Sequence, residues 1–482
     1  MKKDILILGA GPAGLACAME LSLAGQSCLV VEKGEKVGGL AKTFEFKEGD
    51  DVFRTDFGPH RFFSKNAYLY DFIKNLIGSD WLEVPRQTRQ YIEGKFYDYP
   101  INAGQAFKNI GPLRSLMICL SYFRAWVSYR LFKKPVKSFE DYLLANFGRK
   151  LAEFNMINYS EKLWGVPCSQ IHPDWGGQRI KGLNIVNALK NSLFKKRGGD
   201  TPKTLIESFY YPRLGTGQIY EAIGKRITQS GSEIFTNSFP TRIYHQDNRL
   251  TRIELMKDGE RLIMECSKVV SSVPITEFVG LLDPLPPKEV MEAAGSLRWR
   301  AEVCLFLTLD KEKVVNDNWI YFPETRIPFV RIAEMKNFSR AMSPRDKTSL
   351  FIEFFTYEND VLWQKSAQEL LDLVLPYLQE AGFCQKSEVR HYYLLKQKNA
   401  YPVYTLDYRE KLKIVKDYLD RFENLYLVGR PGRFKYTNQD HSLEMGILTA
   451  RSILENKKRD LDKVGSEEDY FEAGYLPKAP ST

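Results

Sequence analysis

Asp4-Ile5-Leu6-Ile7-Leu8-Gly9-Ala10-Gly11-Pro12-Ala13-Gly14 is an apolar run that ends on a glycine-rich turn and leads into the helical spacing of Pro12 to Ala24. A second apolar run, Ser27 to Val31, follows, so the opening of the chain reads as one βαβ unit. Gly9, Gly11 and Gly14 have G-x-G-x-x-G spacing directly after a strand and at the start of a helix, the context in which that spacing carries meaning. Glycines there let the backbone approach a pyrophosphate, and the helix N-terminus stabilises its charge. Glu32 ends the second strand 18 residues beyond Gly14, placed to accept from a ribose hydroxyl. Strand, turn, helix and acid together predict a bound dinucleotide.

Working outward, Glu32-Lys33 is followed by Gly38-Gly39-Leu40, a second glycine pair that typical NAD-binding turns lack, which points to FAD. Near the other end, Leu425 to Val428 reads as a strand, Gly429 to Gly432 as a turn and Ser442 to Glu455 as a helix. Between these ends, Pro100 to Phe194 has mostly helical spacing, Glu233 to Val273 and Ala301 to Phe355 are strand-like, and Ala367 to Glu380 is again helical. The expected class is α/β: an FAD-binding Rossmann-like (two-dinucleotide-binding) domain with a helical insertion and an antiparallel-sheet substrate domain. The expected division is 1–98, 203–275 and 400–457 for the FAD-binding domain, 99–202 for the helical domain and 276–399 for the substrate sheet. A poorly ordered polar tail is expected over 458–482.

At 482 residues, with 44% hydrophobic and 27% charged residues, the chain is of ordinary globular composition and large enough for several structural regions. A formal charge of +9 suits nucleic acid, a membrane surface or an anionic small substrate. The longest basic clusters, Lys133-Lys134 and Lys195-Lys196-Arg197, are short, and no nucleic-acid signature accompanies them, so nucleic acid is not expected as a partner. Seven cysteines without a C-x-x-C pair suggest a reducing compartment and no zinc; no metal is expected. The N-terminus is too short and wrongly flanked for a secretory signal, which makes the cytoplasm the expected location. Pro112 to Phe132 is rich in Leu, Phe, Trp and Tyr, but Arg114, Arg124 and Arg130 make it costly as a membrane span. It is expected as a buried amphipathic helix, with peripheral contact at the inner face of the membrane as the alternative.

Several segments spread along the chain resemble the UDP-galactopyranose mutases, flavoenzymes of the FAD-dependent amine oxidase superfamily. Gly58-Pro59-His60-Arg61-Phe62-Phe63 resembles the loop whose histidine lies beside the flavin. Tyr159, then Leu163-Trp164-Gly165-Val166-Pro167 and Arg179, resemble the substrate-cleft helix, and Trp319 to Pro323 with Pro328-Phe329-Val330-Arg331 resembles the central sheet. Most specific are Tyr401-Pro402-x-x-Thr405-Leu406 and Gly429-Arg430-x-Gly432-x-x-x-Tyr436-x-Asn438-Gln439-Asp440-His441-Ser442. The resemblance implies that Arg179, Arg331, Tyr401, Arg430 and Tyr436 line a cleft that holds a diphosphate. It also implies that His60, Gly429, Arg430, Asn438, Gln439, Asp440 and Ser442 border the flavin. Guanidinium forks, which bind phosphate oxygens in pairs, and phenol donors suit that task on physical grounds as well. Two positions depart from the pattern. Ser160 follows Tyr159 where some mutases carry asparagine. Tyr99-Pro100-Ile101-Asn102 stands where they place an aromatic and a glutamine against uracil, and Ile101 cannot stack while Asn102 is shorter.

By resemblance, the reaction is the interconversion of pyranose and furanose forms of a nucleotide sugar, or another sugar diphosphate, through attack of reduced flavin N5 on the anomeric carbon. NAD(P)H or another reductant would supply the reduced state, and His60, Arg179 and Arg331 would serve the chemistry. The cofactor carries such a reaction, so no dedicated acid–base pair is expected. An alternative from the same superfamily is an oxidoreductase like protoporphyrinogen oxidase or the desaturases, with a hydrophobic or lipid-linked substrate. A non-catalytic flavin scaffold is the third reading.

Overall fold

The computed structural model describes residues 2–64, 66–99, 103–176 and 208–465. Strand β1 (Lys2–Leu8) runs parallel to β2 (Leu29–Val31) on one side and to Glu260–Ser271 on the other. Both faces of β1 are covered, because its pleat sends Leu6 and Leu8 into one apolar cluster and Ile5 and Ile7 into another. Parallel strands Glu233–Phe235 and Leu425–Leu427 extend the sheet, and the hairpins Ser238–Gln246, Arg249–Lys257 and Glu260–Ser271 add an antiparallel wing. Helix α1 (Pro12–Leu23) opens on Gly11 with Pro12 in its first turn, where a missing N–H costs nothing. It packs on the C-terminal helix Gln439–Leu454 so closely that a Cβ on Gly446 would stand 2.1 Å from the Ala13 carbonyl oxygen. The two ends of the chain thus form one layer over the sheet.

A second sheet has the order Val389–Pro402, Trp299–Leu309, Thr348–Thr356, Arg331–Ala333, Trp319–Tyr321, Thr88–Ile92, Lys95–Asp98. It is antiparallel except where Trp319–Tyr321 runs parallel to Thr88–Ile92. The expected antiparallel sheet is therefore a mixed one, and two of its strands come from residues 88–98, which the sequence division assigns to the other domain. Long-range pairing leaves no local signal in strands this short. Helices Ala103–Ile110, Pro112–Trp126, Phe139–Leu151 and Asn158–Trp164 form the insertion. Ser138 caps the third of these by accepting from the Asp141 amide.

Two expectations need correction. Pro112 to Phe132 is helical but not buried: of the Pro112–Trp126 helix only Ile118 is buried, and its large apolar side chains face outward. The proposed polar tail is docked through residue 465, because Leu461 and Val464 are buried in the core beside β1 and Asp462 pairs with Arg433 and Lys416.

Asp56 pins the loop that carries His60. It is wholly buried and accepts from Thr43 Oγ1 at 2.6 Å, Tyr211 Oη at 2.5 Å and the Thr216 amide at 3.1 Å, while Thr216 Oγ1 donates to the His60 carbonyl at 3.1 Å. Burial raises its carboxyl to about 6, against the pull of those donors. A carboxyl raised in the folded state adds stability below its unfolded value and loses it as pH climbs through the folded one. The wild-type protein should therefore lose about 2 kcal/mol of stability, relative to Asp56→Asn, between pH 4 and pH 7. Urea unfolding of both proteins across that range measures the difference, which a flat profile would contradict.

Candidate active site

The glycine-rich turn at the end of β1 is folded against the second glycine pair. Gly38 donates its amide to the Ala10 carbonyl at 2.8 Å, and a Cβ on Gly39 would lie 3.0 Å from Gly11 Cα. A Cβ on Gly14 would meet the Gly9 carbonyl oxygen at 2.0 Å, so α1 can start this close to the turn only without a side chain there. Glu32 accepts from the Ala10 amide through Oε2 and from the Gly34 amide through Oε1, both at 2.8 Å, which fixes the carboxylate at the rim of the cradle. Lys33 is exposed and lies over the Phe239 ring, and Leu40 is half-buried.

The C-terminal segment closes the other side. Gly429–Arg433 forms a short helix after the Leu425–Leu427 strand, and Asn438 precedes the last helix. Gln439 Nε2 donates to the carbonyls of His60 and Arg61 at 3.2 and 3.3 Å, and Tyr220 Oη donates to Gln439 Oε1 at 2.9 Å. Ser442 Oγ bonds Thr437 Oγ1 and the Asn438 carbonyl. Asp440 is buried with no hydrogen-bond partner at Oδ1, the kind of acceptor that a bound polar group satisfies. Glycine cradle, helix N-terminus, rim carboxylate and buried acceptor are the polar groups that a dinucleotide requires.

His60 is half-buried and feels the charges of two arginines. Burial first, then the charges of Arg430 and Arg331, lower its imidazole to about 3, so it is neutral at any working pH. Arg331 grips Glu353 with Nε and Nη2, the latter at 2.7 Å. Glu353 in turn holds a hydrogen bond with Glu302, whose carboxyl burial and the Glu353 charge push well above its ordinary value. Arg430 donates Nε and Nη2 to the Thr437 carbonyl at 3.0 and 2.6 Å and Nη1 to the Ala400 carbonyl at 3.0 Å. Its guanidinium lies 4.7 and 4.9 Å from the ring centres of Tyr401 and Tyr436, which stack on each other at 5.5 Å.

Trp164 meets Tyr401 edge-on at 6.1 Å, and its buried indole N–H has no hydrogen-bond partner. Tyr321 receives Tyr159 and Tyr99 on its ring at 5.6 and 5.4 Å. Arg331, Tyr401, Arg430, Tyr436, Tyr159 and Trp164 lie in one cluster, and Tyr99 reaches it through Tyr321. Arg179 and Asn102 lie outside the described residues. One expectation changes. Neither Arg331 nor Arg430 presents an empty fork, because their paired N–H groups already serve a carboxylate or a carbonyl. Sequence reasoning missed Glu302, Glu353 and Tyr321. The signal for the two acids was present: each is the lone charge in a strongly apolar strand, Ala301 to Leu309 and Leu350 to Phe355.

The sequence profile of flavin-containing amine oxidoreductases matches residues 12–454. The chain belongs to that family. Its cofactor is FAD, which the glycine cradle, Glu32 and the C-terminal segment fit. A UDP-galactopyranose mutase of Mycoplasma genitalium is 24% identical over 293 residues, covering 58% of this chain and 62% of its own. A structure of reduced UDP-galactopyranose mutase matches with a TM-score of 0.82 at 20% identity, covering 98% of both chains. A putative protoporphyrinogen oxidase from Exiguobacterium sp. 255-15 matches with a TM-score of 0.71 at 17% identity, over 94% of this chain and 99% of its own. The chain spans between 43% and 62% of the length of the first curated relatives it matches. The fold is that of this flavoenzyme family.

Glu32→Ala would leave the Ala10 and Gly34 amides without their acceptor and remove the rim carboxylate. It should weaken FAD binding by about tenfold or more, read as the flavin-to-protein absorbance ratio after dialysis; full retention of flavin would contradict the assignment.

Proposed function

We propose that this flavoenzyme is a sugar mutase that interconverts the pyranose and furanose forms of a nucleotide sugar or another sugar diphosphate. The observation that carries the proposal is the convergence of Arg331, Arg430, Tyr401 and Tyr436 around His60. Reduced FAD, when bound, supplies a nucleophile toward the anomeric carbon with no net change of oxidation state, and NAD(P)H or another reductant would keep it reduced. The protein's part is electrostatic. The positive charges of Arg331 and Arg430 stand where a diphosphate gains charge as it leaves, and they are fixed by Glu353 and by backbone carbonyls before substrate arrives. Their remaining N–H groups and the phenol of Tyr401 would serve phosphate oxygens, with Tyr436 stacked on Tyr401 and Tyr159 against Tyr321 as the aromatic wall beside them. The Tyr401 hydroxyl stays protonated, because desolvation and the neighbouring Tyr436 push it up. Arg179 belongs to the same proposed set by sequence.

A second reading, oxidation of a hydrophobic substrate, draws on the fold shared with the protoporphyrinogen oxidase and on the outward apolar helix of the insertion. The two readings part on electrons. Dithionite-reduced protein incubated with a panel of nucleotide sugars should form furanose product, followed by NMR, with the reductant unconsumed. Stoichiometric consumption of oxygen or quinone, with no ring isomer formed, would support oxidation instead. Arg331→Lys keeps a charge but loses the planar fork on Glu353, and should lower kcat about 100-fold with FAD content unchanged.

A further inference from the structure

The Pro112–Trp126 helix is amphipathic with its faces reversed. Inward, it meets the Phe139–Leu151 helix so tightly that a Cβ on Gly148 would stand 2.7 Å from Tyr122 Cα, and Ser121 Oγ accepts from the Lys150 amide. Tyr129, two turns further, donates to Asp141 at 2.7 Å. Ile118, Tyr122 and Tyr129 thus lie on the packed face. The apolar stripe is on the other side: Leu113, Leu116, Met117, Leu120 and Phe123 follow one another at helical spacing, and Leu113, Leu120 and Phe123 are 72, 60 and 63% exposed. Trp126, Leu131 and Phe132 prolong the stripe, and Phe107 on the preceding helix flanks it. A contiguous exposed apolar surface of this kind marks an interaction site.

Charge says what covers it. Residues 103–137 contain no Asp or Glu, and every charged side chain in that stretch is Lys or Arg. Arg114 and Lys134 pair with Glu93 and Asp141 from outside it, while Lys108, Arg124, Arg130, Lys133 and Lys137 are exposed. A second copy of the chain docked symmetrically would set basic groups against basic groups. An anionic lipid surface complements both features at once, since Leu, Phe and Trp enter the acyl boundary while Lys and Arg reach the phosphates. Among the described residues no helix is long and apolar enough to cross a membrane, so this helix would lie on the bilayer rather than span it. We propose that the surface built by Ala103–Ile110, Pro112–Trp126 and the basic turn after it is a docking face for an anionic phospholipid bilayer. The proposal does not depend on the sugar-mutase reading.

The test is flotation of the FAD-loaded protein with vesicles of 30% phosphatidylglycerol in phosphatidylcholine, beside vesicles of phosphatidylcholine alone. Binding should be at least tenfold stronger to the anionic vesicles and should weaken in 0.5 M salt. Leu120→Glu/Phe123→Glu should abolish it. Arg130→Gln/Lys133→Gln should lower the partition coefficient about 25-fold, at about fivefold per basic residue. All four side chains are exposed, so flavin absorbance and melting temperature should stay at wild-type values in both variants. Failure to float, equal flotation of the Leu120/Phe123 variant, or a solution dimer that this variant dissociates would each overturn the proposal, the last by making the face an interface between copies.

Discussion

The contact on which the rest depends is the backbone approach of α1 to the last helix, with the Ala13 carbonyl lying where a Cβ on Gly446 would be. Two helices from opposite ends of the chain can lie this close only because one side chain is missing, and that closeness sets where both of their N-termini come to rest. One N-terminus follows the Gly9 turn. The other follows Asn438 and brings Gln439 onto the carbonyls of His60 and Arg61. Because Gln439 is also held by Tyr220, and the His60 loop by Thr216 and Asp56, the two glycine-rich ends and the histidine loop form one rigid frame. The arginine and tyrosine cluster is then positioned by this frame together with the second sheet, which supplies Arg331 and Glu353 from adjacent strands and Tyr401 from across the Trp299–Leu309 strand.

Parts of this were legible in the sequence because the signals are local. The βαβ unit is one, and the Ala367–Glu380 helix is another: its bounds agree with the expected ones, and Ser366 and Glu369 form a reciprocal cap at its start. What was illegible needed contacts between distant segments. Thr88–Ile92 looks like any short strand until Trp319–Tyr321 lies beside it, and nothing near Asp56 announces that Tyr211 and Thr216 will turn toward it. The Pro112–Trp126 helix shows a subtler limit. Helical periodicity reveals that an apolar stripe exists but not which side of the helix the fold will cover. Here the decision lies with Gly148, which admits the Tyr122 backbone and leaves the leucines outside.

The site shows the same limit in electrostatic form. A motif locates Arg331 and Arg430 but says nothing of what their N–H groups already hold. An arginine brought into a low-dielectric cleft without partners would be costly, so the fold pairs one with Glu353 and seats the other on carbonyls and aromatic faces. Burial and the Glu353 charge push the Glu302 carboxyl well above its ordinary value; burial and the charges of both arginines lower His60 for the converse reason. Arg331 and Arg430 therefore both bear on His60, a positive field set before any ligand enters. A diphosphate meeting that field would find its charge complemented by oriented groups that need little rearrangement, which is the condition under which charge stabilisation is strongest. A neutral hydrophobic substrate would gain nothing from it. On this ground the electrostatics of the cleft, more than the number of its arginines, favour an anionic substrate.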